Sequence, residues 1–247
     1  MITLITPTGD RPLAFALCQL WIKNQILKPD QWIVIDDGEI PLEPLVPMEY
    51  VRRSPTPGSG STLIQNLSVA VPLIKGDKVF IIEDDEYYAP DYVLRLSEYL
   101  NAREVVGICR SKYYHLPSGK FLRIGNVTHA SLAQTSFRST FLPSFISQLK
   151  GDTYLDMRLW RVAMSGSRGF LFEDRAKSLY CGIKGLPGRA GIGAGHREGL
   201  YRAQDSAHRP QLREWVPVDF SYYFDILSGA LTTENHRAYF QTREIFP

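Results

Sequence analysis

Four consecutive acids, Glu83-Asp84-Asp85-Glu86, follow directly on the apolar run Val79-Phe80-Ile81-Ile82. Clustered carboxylates repel and raise one another's pKa unless a cation neutralises them. A buried strand that delivers such a cluster to its C-terminal end implies a ligand, because open α/β sheets bind ligands in the crevice beyond their strand ends. The pattern points to a divalent-metal site for a phosphorylated substrate. An exposed acidic turn is the bland alternative, disfavoured because these acids cap a buried strand. A second acidic pair, Asp36-Asp37, stands before Gly38 at the end of the apolar segment Trp32–Ile35. Further along, residues 184–197 (KGLPGRAGIGAGHR) hold five glycines punctuated by Lys184, Arg189, His196 and Arg197. Their backbone N–H groups could wrap phosphate oxygens. The stretch is not a Walker loop, since no Gly-Lys-Ser/Thr follows a strand. It reads as a lid that closes over a diphosphate and excludes water.

The elements that must position these groups follow from periodicity. Ile2–Ile5 reads as a strand, with Thr8 or Asp10 able to cap a helix over Leu13–Gln25. Trp32–Ile35 is a second strand, and residues 40–60, rich in Pro and Gly, read as a loop. Ser61 caps a helix carrying Leu63, Ile64, Leu67, Ala70, Val71 and Ile74 on one face, which Pro72 should shorten. Val79–Ile82 is the third strand and Pro90–Leu100 the third helix. Strand–helix three times without a hairpin signal implies parallel strands with right-handed crossovers. Both acidic pairs then share one sheet edge. Beyond residue 104, Val105–His115 and Lys120–Ile124 read as a hairpin around Leu116-Pro117-Ser118-Gly119. Ala130–Arg138, Phe170–Phe172 and Ser178–Ile183 read as strands. Phe141–Lys150, Tyr154–Met164, Phe220–Leu231 and Glu234–Phe240 read as helices. The expectation is one α/β domain: a mostly parallel, Rossmann-like sheet flanked by helices over residues 1–104, and a mixed β/α half of the same domain over 105–247.

The chain of 247 residues is 44% hydrophobic, enough to fill a core. Its formal charge of +2 is uneven. Residues 1–100 hold 8 Lys/Arg against 14 Asp/Glu, and residues 101–247 hold 20 against 12, of which 15 are arginine. That half is either a solvated basic face or faces an anionic partner. Cys18, Cys109 and Cys181 are distant and odd in number, which suits a reducing compartment and small buried hydrophobes. No apolar run approaches the roughly 20 residues of a membrane span. MITLITPTGDRP lacks a basic leader and a cleavage site, so the expected location is cytoplasmic, without a membrane anchor.

In order along the chain, a first strand running into Pro7-Thr8, a second ending Asp36-Asp37-Gly38, the helix bearing Asn66, and Ile82-Glu83-Asp84-Asp85-Glu86 followed by Ala89-Pro90-Asp91 together resemble the family 2-type glycosyltransferases of the GT-A fold. The likeness is close over residues 1–100 and loose beyond. It implies a nucleoside-diphosphate sugar, UDP-linked by first expectation, bound through a D-x-D motif and Mn2+ or Mg2+. The motif falls on Glu83, Asp84 and Asp85, with Glu replacing the first Asp. Asp85 is then the direct metal ligand, Glu83 reaches the metal through water or contacts the ribose, and His196 completes the metal shell. Pro7, Thr8 and Asp36 would line the base and ribose pocket; Asn66 stands for the family's Arg-Asn dipeptide. Arg11, Lys184 and Arg189 would approach the diphosphate, while Asp37 reads as an Asx turn onto Gly38.

The resemblance also implies an inverting reaction with a carboxylate base opening a helix. Two frames fit: Asp156 with Leu159, Trp160 and Arg161, which is preferred, and Asp152 with Leu155 and Arg158. Acceptors open to the arginine-rich half are modified DNA bases, as for stand-alone relatives in tailed phages acting in a host cytoplasm, or a glycan or protein hydroxyl. A nucleotidyltransferase on a similar sheet and a non-catalytic nucleotide-sugar-binding module are the readings from other classes. Against the first, Thr6–Arg11 is short and glycine-poor.

Overall fold

The computed structural model describes residues 1–55, 61–150, 154–175, 178–189, 191, 196–243 and 245. The chain order is β1 (Ile2–Thr8), α1 (Pro12–Lys23), β2 (Gln31–Asp36), β3 (Glu49–Arg52), α2 (Thr62–Ala70), β4 (Lys78–Ile81), β5 (Glu86–Tyr88) and α3 (Tyr92–Leu100). There follow β6 (Val105–Ile108), β7 (Lys112–His115), β8 (Lys120–Arg123), β9 (Thr135–Arg138), α4 (Leu142–Gln148), α5 (Leu155–Ser165), β10 (Gly169–Phe172) and β11 (Tyr180–Lys184). β12 (Ala203–Gln204), α6 (Pro210–Trp215), α7 (Phe220–Leu227) and α8 (His236–Thr242) complete the described elements.

Two sheets organise them. The main one has the order β10-β6-β9-β4-β1-β2-β3, and the second β12-β8-β7-β11-β5. β4, β1, β2 and β3 are mutually parallel, and the antiparallel β9 links them to β6 and β10. Both faces of the main sheet are covered. Leu4, Val34 and Phe80 pack on one side with α1 and α3, whereas Ile5, Ile33, Ile35 and Ile81 pack on the other with α2, α4 and α5. This two-sided burial explains why the strands read as unbroken apolar runs. α1 is buried on every side because the second sheet and α7 close over it, with Trp21 against Tyr87 and Tyr222.

Four sequence expectations are corrected. The loop expected over 40–60 contains β3, a half-buried edge strand paired with β2. Val105–His115 is not one strand: Arg110 takes φ 54° and turns the chain from β6 in the main sheet to β7 in the second. Only Thr135–Arg138 of the 130–138 segment is strand, a 3-10 turn over Leu132–Gln134 preceding it. Neither Thr8 nor Asp10 caps α1. Thr8 lies inside β1, and Asp10 adopts φ 56° to leave the strand. As Pro72 foretells, α2 stops at Ala70 and tightens into a 3-10 turn.

Candidate active site

β4 ends at Ile81 and β5 begins at Glu86, so Glu83, Asp84 and Asp85 fill the turn between the two sheets and Glu86 opens β5. Three of the carboxylates share two cations, Arg11 and Lys184. Asp84 turns toward β1: Thr8 Oγ1 donates to it at 2.6 Å and Arg11 Nη1 at 2.7 Å. Arg11 Nη1 also stands 3.4 Å from Asp85 Oδ1. From β11 across the second sheet, Lys184 Nζ donates to Asp85 Oδ2 at 3.3 Å and to Glu86 Oε1. Glu86 Oε2 accepts the Ile183 N–H at 3.1 Å. His196 Nε2 lies 3.6 Å from Asp85 Oδ2. Asp85 Oδ1 is buried and, among the described residues, has no hydrogen-bond partner. Glu83, Asp85 and Glu86 offer oxygens that all fall within 4.8 Å of one another.

The electrostatics follow from burial and from two fixed cations. Burial first, and the Asp85 charge second, push the Glu83 carboxyl up to about 7. Burial also raises Asp84, against the pull of Arg11, and lifts Glu86 well above the usual carboxylate range. Asp85 moves the other way. Burial works against its ionisation, but Lys184 and then Arg11 and His196 outweigh it, and its carboxyl is lowered. Burial opposes the Lys184 charge too, yet Asp85 and Glu86 hold the ammonium protonated. Burial and then Lys184 lower the His196 imidazole to about 4, so it is neutral at physiological pH.

The second acidic pair is enclosed. Asp36 Oδ1 accepts the Gly38 N–H at 2.8 Å, and Oδ2 accepts from Leu42 N at 3.0 Å, from Arg52 Nη1 at 2.7 Å and from the Tyr50 hydroxyl. The turn onto Gly38 is therefore made by Asp36, not by Asp37 as the sequence suggested. Asp37 instead pairs with Arg53 at 3.2 Å and with Arg189. Arg53 Nε in turn donates to Asn66 Oδ1 at 2.8 Å. Asn66 thus braces Arg53 and the β2 end.

The glycine-rich stretch begins as a strand, since Lys184 closes β11. Its next residues dock on the β1–α1 turn. Arg189 N donates to Asp10 O at 3.1 Å, and Arg11 Nε donates to Arg189 O at 2.7 Å. Gly188, at φ 117°, lies against the Asp10 carbonyl where a side chain has no room. The remainder of the expected lid is outside the described residues, apart from Gly191 and the segment from His196 onward.

Pro7, Thr8, Arg11, Glu83, Asp84, Asp85, Lys184 and His196 are thus brought to one edge, with Asp36, Asn66 and Arg189 one strand further along. Asp156 sits half-buried in the first turn of α5, and its Oδ1 accepts the Met157 N–H at 2.8 Å. Asp152 lies outside the described residues. Sequence reasoning counted Glu86 only within the acidic run, read Asp10 only as a possible cap, and gave Arg53 no role in this network. Glu86 had a signal: it heads the short β pattern Glu86-Tyr87-Tyr88, whose alternation turns Glu86 and Tyr87 to opposite faces. A cavity of about 700 Å3 opens on that opposite face, among Tyr87, Lys112, Asp174 and Trp215, and is separate from the acids.

No family model matches the chain, and no curated protein matches it in sequence. Solved structures do match it. TarS 1–349 from S. aureus, in complex with UDP-GlcNAc, superposes with a TM-score of 0.53 at 14% identity, over 95% of this chain and 72% of that one. Another structure of the TarS fragment gives 0.52 at 13% identity, over 74% and 60%. The mannosyltransferase PcManGT from Pyrobaculum calidifontis, in complex with GDP-Man and Mn2+, gives 0.51 at 15% identity, over 75% and 57%. The chain therefore spans 60% of the length of one of these and 57% of the other. At such identities the likeness is one of fold. The fold is that of the GT-A glycosyltransferases, a mostly parallel central sheet flanked by helices. No helix among the described residues is long and apolar enough to cross a membrane.

Proposed function

We propose that this protein is a metal-dependent, inverting glycosyltransferase that moves a sugar from a nucleoside diphosphate to an acceptor hydroxyl. The observation that carries this reading is the buried Asp85 Oδ1, which faces Arg11 Nη1 at 3.4 Å but accepts no hydrogen bond, among carboxylates at the edge of a GT-A sheet. A buried acceptor that makes no hydrogen bond costs about 1–3 kcal/mol; the Arg11 charge offsets part of that, and the acceptor site stays open to a cation. Charge agrees. Four acids, Glu83 to Glu86, face two bases, Arg11 and Lys184, which leaves a formal −2, the complement of one divalent cation. Oxygen donors of this kind suit Mn2+ or Mg2+.

Asp85 and Glu83 would hold the ion, with the neutral His196 imidazole beside Asp85 available as a nitrogen ligand. When bound, the metal supplies Lewis-acid stabilisation of the departing diphosphate. Arg11, fixed by Asp84, directs a second positive charge to the same edge. Thr8 and Asp84 lock β1 to the acidic turn, so that the donor-facing groups stay in register. Asp36 and Asn66 shape the nucleotide pocket by bracing Arg52 and Arg53. In this reading Asp156 deprotonates the acceptor hydroxyl and Arg189 borders the donor. The nucleotide-sugar class is supported by the donors held in TarS and PcManGT.

For the acceptor, the surplus arginines speak against a nucleic-acid face. Arg110 and Arg123 pair with Glu173 and Glu214, Arg168 with Glu104 and Arg243 with Asp225, and Arg103 and Arg213 lie on the rings of Phe170 and Phe220. A glycan or protein hydroxyl is then the acceptor class kept in this reading. The test is release of nucleoside diphosphate from UDP- and GDP-sugars with Mn2+ in the presence of glycan and peptide hydroxyl acceptors, wild type against Asp156→Asn. Wild type is expected to turn over. Asp156→Asn is expected to bind donor normally and to lose turnover at least about 100-fold. Silence of wild type toward every sugar nucleotide overturns the function; full activity of the variant overturns the base.

A further inference from the structure

Lys184 is the more deeply placed of the two cations at the site, its side chain 3% exposed against 18% for Arg11. The backbone reserves its position. Gly182, two residues earlier on β11, faces the same side, and a Cβ there would run into the Tyr113 ring and stand 3.1 Å from Glu86 Oε2. With Gly182 bare, Tyr113 lies across β11 and its ring centroid comes 5.9 Å from Nζ. Glu86 is fully committed to β11, one oxygen to the ammonium and the other to the Ile183 amide. Asp85 is only half committed. Lys184 takes Oδ2, and Oδ1, 3.4 Å from Arg11 Nη1, is left without a hydrogen bond. Pairing of β11 with β5 does not require the lysine, because the strand ladder from Tyr180 to Gly182 provides it. A buried ammonium is costly unless carboxylates surround it, so its retention here reflects the acids.

We infer that Lys184 is the resident cation of this site. It fills the position between Asp85 and Glu86 that a second divalent ion would otherwise take. The cluster therefore accepts one ion, on Asp85 Oδ1 and Glu83, with an affinity lowered by the positive charge already in place. Lys184 is a positioning residue in this scheme: it ties down Oδ2 and presents Oδ1. The inference rests on the metal reading proposed above.

Its test is a Mn2+ titration of the intact protein, following the electron paramagnetic resonance of free Mn2+. Wild type is compared with Lys184→Met and with the charge-neutral pair Lys184→Met/Glu86→Gln. Wild type is expected to bind one ion. Lys184→Met is expected to bind two, or one at least tenfold more tightly. The double variant, which keeps the net charge of the turn unchanged, is expected to return to one ion within about threefold of wild-type affinity. A folded Lys184→Met that binds one ion no more tightly than wild type overturns the inference. Should that variant not fold, the double variant decides, and a loss of affinity beyond tenfold counts against it. Absence of any Mn2+ binding by wild type would instead sink the metal reading, so the two failures are told apart.

Discussion

Replacing Asp85 by Asn isolates the charge that the account relies on most. Two unit charges 4 Å apart interact by about 4 kcal/mol at an effective dielectric of about 20. A divalent ion near Asp85 would thus gain roughly twice that from the carboxylate. In the metal-free protein the same carboxylate serves Lys184 at 3.3 Å and Arg11 at 3.4 Å, and part of the gain only replaces those contacts. If a third survives, the loss is about 2.7 kcal/mol, or about 100-fold in Mn2+ affinity. Stability should behave differently. Lys184 keeps Glu86 and Arg11 keeps Asp84 at 2.7 Å, so the substitution strands no cation and relieves an over-charged turn. Breaking a buried pair is severe only where it leaves a charge uncompensated. Isothermal titration with Mn2+ at pH 7.5, alongside a melting curve, reads both quantities. The expected outcome is weakened binding with a melting temperature at or above that of wild type. Affinity within threefold of wild type would refute the reasoning, as would a melting temperature lowered by several degrees.

The pH dependence of the metal-free protein gives a second check. Glu83 has its folded-state pKa raised from 4.5 to about 7, so the folded state holds this proton more tightly than the unfolded chain does. Its contribution is full below pH 4.5 and is lost as pH rises through about 7, amounting to about 3 kcal/mol at most. Urea midpoints of Glu83→Gln should fall less steeply than those of wild type over that window, and parallel curves would count against the assignment. Thr8→Val removes a 2.6 Å bond to the buried Asp84 carboxylate and should cost about 1.5–3 kcal/mol in urea unfolding; an unchanged midpoint would mean that this contact does not anchor β1 to the turn. Gly182→Ala forces a Cβ into the Tyr113 ring and crowds Glu86. It should destabilise by about 1–3 kcal/mol and shift Mn2+ affinity, whereas a variant with both properties unchanged would show that Lys184 does not depend on this gap.

What the sequence made legible was local. The apolar runs before Asp36 and Glu83, the helices between them and the shared edge follow from periodicity, because a parallel sheet buried on both faces leaves an unbroken apolar signature. The acidic turn was visible for the same reason, as charge set hard against a buried strand. β3 escaped because Glu49–Arg52 is a half-buried edge strand inside a Pro-rich segment, where no alternation stands out. The break at Arg110 escaped because a positive φ at a non-glycine residue leaves no mark on local pattern. Arg11, Lys184 and His196 were drawn to the site by the family resemblance, but which acid each one meets was out of reach. Lys184 meets Asp85 from 99 residues away, and Arg189 meets Asp37 from 152. The enclosure of Asp36 likewise depends on Tyr50 and Arg52, brought alongside by a strand that local pattern did not reveal.

The central claim is that the carboxylates around Asp85 hold a cation that carries the charge of a nucleoside diphosphate. Calorimetric binding of UDP- and GDP-sugars to the intact protein, in Mn2+ and then in excess chelator, tests it most directly. At least one sugar nucleotide should bind with Mn2+ at least tenfold more tightly than in chelator, and Asp85→Asn should abolish the difference. Equal affinity with and without the metal, or no affinity for any sugar nucleotide, would contradict the account.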